Sequence, residues 1–600
     1  ITSLPLAYTV NGGTAVTGTY TGTLTPGSTT VYTFSTAANL SSGSSFDLVV
    51  YNTASGDTCD ANDTAMTTVS EQMNGTYTIG GTSPDYSTIA AAVSDLTSNG
   101  VCGPVTFLLR DGTYSGNQTI GAVSGASSTN TVTFKSDPSN SALAAVSGSS
   151  YAFYLNSASF LILDSLDLDG GSYALYMYGF NDNVTIRNCD IASTSTYYGI
   201  YQPGSSVTRY TNLTIYNNNF YSYGYGAYLY GYYLSYNQDL AFTDNVMENF
   251  QYYGIYGYYT DSIIVSGNTI NSGSYTSTQY GFYFYGNAHE YLNNDITMNT
   301  TNYGYGIYDP SSGTSSNYNR IVNNMIKATN NSTYGRGIYA SGNYWSILYN
   351  SVHCKSNTTS ASYAALYAAS STDSIYNNAF YNSGTGYGWY GSSSASHGNN
   401  VFYSAGGSSY HSNVTLNSSE YASDPGFNST TDLHIASFSD CYNNGTPISG
   451  VTTDIDGVTR SSSTPDIGAS EYDLPEDDAG VTELDSPTSP LTAGTNAVAV
   501  TWKNYGIVSI DTVQLDWEVN GTAQSSVYWT GSVAPGAVDT NVSLGSANFP
   551  SGFSTIKAWT FDPNNVSDED NSNDTMEFTV CTGLSGTYTL GAGSSFDFNS

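Results

Sequence analysis

The segments LTIYNNNF (213–220), LAFTDNVM (240–247) and IIVSGNTI (263–270) share one pattern. Each holds an apolar residue, up to three Asn, Asp or Gly, and a second apolar residue five positions after the first. The pattern recurs as DSLDL (164–168), VTIRNCDI (184–191), EYLNNDI (290–296), NRIVNNMI (319–326), WSILYNSV (345–352), DSIYNNAF (373–380) and HGNNVF (397–402). The second apolar residue falls at Leu168, Ile191, Phe220, Met247, Ile270, Ile296, Ile326, Val352, Phe380 and Phe402, at spacings of 22 to 30 residues. A second motif interleaves with the first: YAFY (151–154), YALY (173–176), YGIY (198–201), YGAY (225–228), YGIY (253–256), YGFY (280–283) and YGIY (305–308). It continues as RGIY (336–339), AALY (364–367) and YGWY (387–390). An apolar residue flanked by Tyr is strand alternation. Two short strands per period, joined by Gly, Asn and Ser turns, make one rung of a β-solenoid, because such a rung buries its apolar face only by stacking on its neighbours. The missing Leu pattern excludes a leucine-rich repeat, and the short period excludes a propeller.

The repeat carries two ladders. Asn188, Asn218, Asn245, Asn268, Asn294, Asn324, Asn350, Asn378 and Asn400 occupy one corner, rung after rung. Asn tolerates left-handed backbone, and stacked amides can hydrogen-bond along the coil axis. This column resembles the asparagine ladder of right-handed parallel β-helices, and that resemblance implies their fold and hand. Tyr154, Tyr176, Tyr201, Tyr228, Tyr256, Tyr283, Tyr308, Tyr339, Tyr367 and Tyr390 form the second ladder. It is read either as mutual stacking on an outward face or as an aromatic surface for glycans or a partner.

The 600 residues exceed one core, and they include 57 Tyr and 61 Gly against only 11 Lys and Arg, with a net charge of −36. Abundant aromatic and β-branched residues argue for a folded all-β chain rather than disorder. No basic cluster exists to neutralise phosphates, so no nucleic-acid partner is expected. No apolar run reaches membrane-spanning length, so no membrane insertion is expected. The opening ITSLPLAY has no basic segment or cleavage site, which places any export signal outside this sequence. Few Lys, many Asn-x-Ser/Thr sequons and a polar surface suit an extracellular location.

Residues 84–99 are predicted to form a helix with Ile89, Ala92, Val93 and Leu96 on one face, ended by Gly100 and plugging the first rung. At the other end, ASDPGF (422–427), DLHI (432–435) and TTDIDGVTRSSSTPDIGASEY (452–472) resemble the closing segment of secreted bacterial β-helix proteins. That family includes polysaccharide lyases and hydrolases as well as large surface proteins without catalysis. Residues 476–580 show short alternating strands with regular turns, as an immunoglobulin-like sandwich does. They resemble a CARDB-type (cell-adhesion-related) bacterial domain, often carried by proteins exported through type IX secretion.

YTVNGGTAVTGTYTGTLTPG (8–27) aligns with WEVNGTAQSSVYWTGSVAPG (517–536) at an offset of 509. NGTYTIGG (74–81) aligns with SGTYTLGA (585–592) at 511. The expected organisation is the later part of one sandwich at 1–69, a β-helix at 70–475, a second sandwich at 476–580 and the start of a further β-helix at 581–600. The chain then reads as a window on a tandem array whose partners are itself or adjacent repeats, head to tail. Within that array Cys581 would pair with the next repeat's counterpart of Cys102, and Cys102 with Cys59. Cys189 and Cys354 lie six rungs apart, about 29 Å at the stacking distance, and are expected to be buried thiols.

No catalytic set assembles. Acids on the rungs are scattered, and Asp164, Asp167 and Asp169 make the one dense group, where a structural cation could sit. His289-Glu290 has no second His at metal-ligand spacing. No cofactor and no enzymatic activity are expected. Six Asp-Ser/Thr-apolar triplets resemble the O-glycosylation motif of type IX-secreting bacteria, which makes Thr64, Ser165, Ser262, Ser374, Thr512 and Thr575 candidate acceptors. The expected function is a structural segment of a glycosylated filament or surface adhesin on the bacterial exterior. The alternative is a polysaccharide-binding or polysaccharide-degrading β-helix protein.

Overall fold

The computed structural model describes the chain except residues 41–44, 58, 71, 194–196, 222–223, 330–333, 359–362, 407–410, 437–438, 473–474 and 584–600. It divides into two compact units, residues 1–471 and 472–600. Most of the first unit is a parallel β-solenoid, and its rungs carry three strands rather than the expected two. The motif LTIYNNNF explains the miscount, because it spans two strands around a corner. Strand Arg209–Tyr216 ends at Asn217, whose φ is 53°, and strand Asn219–Tyr221 follows in another sheet. Corners turn this sharply because one residue sits in the left-handed region, which Asn tolerates better than most. The same corner residue recurs as Ser165, Asn188, Asp244, Gly267, Asn293, Asn323, Tyr349, Asn377 and Asn399, all at positive φ.

The buried ladder is the residue after that corner. Asn245 donates from its peptide N–H and its Nδ2 to Asn268 Oδ1 at 2.9 and 3.1 Å, and from Nδ2 to Ile215 O at 2.9 Å. Its own Oδ1 accepts both groups of Asn218. The chain of donors continues through Asn294, Asn324, Asn350, Asn378 and Asn400, each fully shielded from solvent. Glu420 receives the last amide at 3.0 Å and closes the column. Asn188 does not belong to it. The sequence NCD places Asn188 at the left-handed corner and Cys189 in the column, where the Cys189 N–H donates to Asn218 Oδ1 at 3.0 Å. Asn188 instead donates to Asp164 on the outer side of the corner.

The Tyr-Gly pairs mark a second close approach. A Cβ at Gly199, Gly226, Gly254 or Gly281 would lie 2.5–2.6 Å from the carbonyl oxygen of the matching Gly one rung on. Only glycine lets the rungs approach there. Inside, one continuous apolar core runs from Met73 to Val414. Helix α1, Ile89–Asn99, adds Ile89, Ala92, Val93 and Leu96 to that core, and Thr88 caps it by accepting from Ala91 N at 3.1 Å.

The segment expected to close the far end takes another course. Residues 444–469 lie along the outer edge of the corner across four rungs. Asn323 and Asn399 donate to Thr453 O and Asn444 O, while Asn377 exchanges two bonds with Thr446. Arg460, 5% exposed, holds this strap. It pairs with Glu471 at 2.7 Å, donates to Asn323 Oδ1, Gly468 O and Ala469 O, and lies 4.0 Å over the Tyr349 ring. The strap therefore satisfies the outward-facing amides of Asn323, Asn377 and Asn399.

Residues 4–70 form a four-stranded antiparallel sheet in the order Val16–Tyr20, Leu4–Val10, Ser45–Asn52, Thr64–Ser70. The second unit repeats this order with Val527–Val533, Ile510–Val519, Phe553–Phe561 and Thr575–Cys581. There a three-stranded sheet of Ala479–Ser486, Gly494–Asn504 and Val538–Phe549 packs across it around Trp502, Trp517 and Phe549. Residues 29–40, aligned with Val538–Phe549, form no strand, and Val31 is 90% exposed. Among the described residues this segment has no partner strand, and an unpaired strand leaves its peptide groups unsatisfied. The expected β-helix start at 584–600 lies outside the described residues.

Replacing the Asn294 amide strands two donors of Asn268 and takes the Nδ2 donor from Val265 O and Asn324 Oδ1. Asn294→Ala is expected to cost about 3 kcal/mol or more in a denaturant titration of the solenoid, and Asn188→Gly under about 1 kcal/mol. Arg460→Ala leaves Glu471 without its cation and frees the strap, at about 3 kcal/mol, and should expose residues 444–469 to protease.

Candidate functional site

A wall of tyrosines runs along the rungs of the solenoid. The ten ladder residues stack in sequence order from Tyr154 to Tyr390, one per rung. Ring centroids are 4.6–5.0 Å apart from Tyr228 to Tyr367, with planes within 19° of parallel. Two further columns flank it. Tyr173, Tyr198, Tyr225, Tyr253, Tyr280 and Tyr305 stack beside it, and Arg336 ends that column 4.5 Å over Tyr305 and 4.0 Å over Tyr363. Tyr230, Tyr258 and Tyr285 form the third. The flanking column was visible in the sequence, since the first Tyr of each YGxY recurs as regularly as the last.

This geometry decides how the wall can bind. The rings lie across the solenoid axis, so each presents its faces to its neighbours and only its edge and hydroxyl to solvent. Stacking of a sugar ring needs an open aromatic face. Along the inner rungs the faces are occupied, and the wall offers a row of phenol hydroxyls instead. Burial, and then the neighbouring phenols, push Tyr198 and Tyr253 up to about 12, and Tyr256 and Tyr280 higher still.

The acidic group separates. Asp164 turns to the corner, where Arg187 lies 2.9 Å away and Asn188 and Ser165 donate to it. Burial opposes its ionisation, but these donors hold its carboxyl below the usual range. Asp167 and Asp169 share the outer face, with Asp190 paired beside Asp167 one rung on. Burial, then Asp190 and Asp169, raise Asp167.

His289 is fully buried. Its Nδ1 lies 2.6 Å from Asp309 Oδ2, its Nε2 contacts Thr260 O at 3.0 Å, and Tyr291 donates to the same carboxylate at 2.7 Å. No spacing rule links His289 to Asp309, because they meet only through stacking of successive rungs. With all three groups shielded from solvent, no substrate reaches them, and the network pins adjacent rungs. Glu290 faces the other way, 3.5 Å from Arg320. His353 is buried against Tyr381 at 4.4 Å, and burial lowers it to about 4. His434 sits between Asp432 and Asp456 in the closing motif. All six cysteines are free thiols, with Cys189, Cys354 and Cys441 buried and Cys59 and Cys102 exposed.

A groove of about 370 Å³ runs over the rungs between Asn212 and Tyr318, lined by Asp239, Ser262, Ile264 and Glu290. Among the glycosylation candidates Thr64, Ser262 and Thr575 are exposed, whereas Ser165, Ser374 and Thr512 are half-buried. Ser165 and Ser262 both sit at left-handed corners.

Residues 151–324 and 206–380 match the family model described as "Right handed beta helix region", so the solenoid is a right-handed parallel β-helix. No protein of curated function matches the chain. Among solved structures, the CARDB domain of a Pyrococcus furiosus protein in complex with di-metal ions is 23% identical, with 19% of this chain and 100% of that one covered and a TM-score of 0.16. The catalytic unit of an α-1,3-glucanase from Streptomyces thermodiastaticus is 12% identical over 69% of this chain and 87% of that one, with a TM-score of 0.28. A tailspike capsular polysaccharide depolymerase from an Acinetobacter baumannii bacteriophage is 9% identical over 88% and 94%, also with a TM-score of 0.28.

Part of the wall titrates late. In an absorbance titration of the folded chain, Tyr198, Tyr253, Tyr256 and Tyr280 should stay protonated at about pH 11, where free tyrosine, with a pKa near 10, is ionised. Because folding raises these pKa values, the stability they contribute is complete below about pH 10 and is lost as pH rises through the folded values. A single transition near pH 10 with no late phase would contradict this.

Proposed function

We propose that the chain is a structural segment of an extracellular bacterial filament or surface adhesin, built from alternating β-helix and sandwich domains and decorated with glycans. The observation that carries this reading is how the solenoid uses its side chains. Asn amides satisfy one another along the buried corner, and tyrosine faces satisfy one another along the wall. Several ionic groups of the solenoid are likewise tied to the scaffold: Asp164 to Arg187, Glu290 to Arg320, Asp295 to Lys327, and Asp309 to His289. Such a surface is spent on cohesion. The repeated strand order of the two antiparallel sheets supports a tandem arrangement. The exposed hydroxyls of Thr64, Ser262 and Thr575 are the acceptors this reading favours, and export through type IX secretion goes with them.

A polysaccharide-binding or polysaccharide-degrading role is the second reading, and the groove with Asp239 and Glu290 at its wall favours it. Two experiments separate them. Electron microscopy and intact mass of the protein from its native source should show elongated particles and a mass excess that maps to Thr64, Ser262 or Thr575. Globular unmodified monomers would overturn the first reading. Depolymerisation of acidic or neutral polysaccharides, abolished by Asp239→Asn with Glu290→Gln, would establish the second.

A further inference from the structure

Three carboxylates meet inside the second unit without a cation to balance them. Asp478 precedes the first strand of the three-stranded sheet, Ala479–Ser486, while Asp568 and Asp574 come from the loop between Phe553–Phe561 and Thr575–Cys581. One oxygen of each lies within 4.8 Å of the others, and the residues are 2%, 6% and 7% exposed. None of the ion pairs among the described residues involves any of them.

Their hydrogen bonds are unequal. Asp478 accepts from Asn573 Nδ2 at 2.9 Å, and Asp568 accepts from the Ala479 and Asp570 N–H groups at 3.1 Å each. Asp574 has no such support. Its Oδ1 is shielded from solvent and has no hydrogen-bond partner, and the Asn573 Oδ1 beside it is in the same state. A buried acceptor without a donor is costly, and a buried carboxylate more so. Burial followed by mutual repulsion moves Asp478 to about 6 and Asp574 to about 7. Oxygens that share one calcium ion at its usual 2.3–2.6 Å stand at most about 5.2 Å apart, and these three lie within 4.8 Å of one another. The donors are all hard oxygens, with no His or Cys, which suits calcium rather than zinc.

The N-terminal sheet supplies an internal contrast. Its loop keeps the same spacing, with Asp57 and Asp63 matching Asp568 and Asp574 at an offset of 511. Among the described residues it has no counterpart of Ala479–Ser486 and hence none of Asp478. There Asp63 is only half-buried and accepts from Asn52 Nδ2 at 2.5 Å. The orphaned carboxylate arises only where both sheets are present.

We propose that Asp478, Asp568 and Asp574 form a calcium site that staples the first strand of the sandwich to the loop between its last two strands. Binding there joins the two sheets at their edge, where Ala479 O already accepts from Thr560 Oγ1 at 2.5 Å.

The test is calorimetric titration of calcium chloride into the chelator-treated full chain, in about 150 mM potassium chloride to screen surface acids. The expected result is a saturable site with a Kd of about 10⁻⁴ M or tighter. Asp574→Asn should weaken it at least tenfold, and Asp63→Asn should leave it unchanged. A second readout needs no variant: calcium should protect the 562–574 loop of the wild-type chain from proteolysis relative to chelator. Absence of saturable binding to the wild-type chain would overturn the proposal. So would equal affinity in the Asp574→Asn and Asp63→Asn chains, or equal cleavage of the loop with calcium and with chelator.

Discussion

The buried column of asparagine amides is the constraint on which the solenoid depends. A rung must turn at each corner, and turning exposes peptide groups that no strand ladder satisfies. Asn answers both needs across a pair of positions, a left-handed residue that makes the turn and a buried amide that serves the neighbouring rungs. From Asn245 onward, each ladder Oδ1 accepts from the peptide N–H and the amide of the preceding rung. The register of one rung is thereby fixed by the next, and a slip of one residue would break every bond in the column.

The rest of the solenoid follows from that register. Glycines fall where a Cβ would meet the next rung, and tyrosines fall outward in line, close enough to stack face to face. Outward corner residues bond to one another where the coil is bare, and the strap anchored by Arg460 takes the amides of Asn323 and Asn377. The spacing of Asp454, Gly457, Arg460, Gly468 and Glu471 reads as the geometry of one latch. Asp454 accepts from Asp456, Val458 and Glu471 peptide N–H groups, which holds the loop so that Arg460 and Glu471 meet.

The repeat, the ladder and the helix were legible because each is a periodic signal written many times. The third strand of each rung was not, because a motif read as one strand bends at a single left-handed Asn that looks like its neighbour. Asn188 shows the limit of that reading: NNN and NCD begin with the same residue, and only the register shows that Cys189, not Asn188, enters the column. Interactions made through stacking, such as His289 with Asp309 and Asn400 with Glu420, join residues 20 apart with no pattern between them. The acid cluster of the sandwich was hidden for the same reason, since Asp478 is distant in sequence from Asp568 and Asp574.

A scaffold whose polar groups serve one another is suited to bearing load along a repeated chain, and that reading rests on the column being the most stable part of the solenoid. Hydrogen exchange of the peptide N–H groups of Asn245, Asn268, Asn294, Asn324, Asn350 and Asn378 measures this directly. They should exchange only through global unfolding, more slowly than any loop amide of the first unit. Exchange at loop rates would contradict the central role given to the ladder.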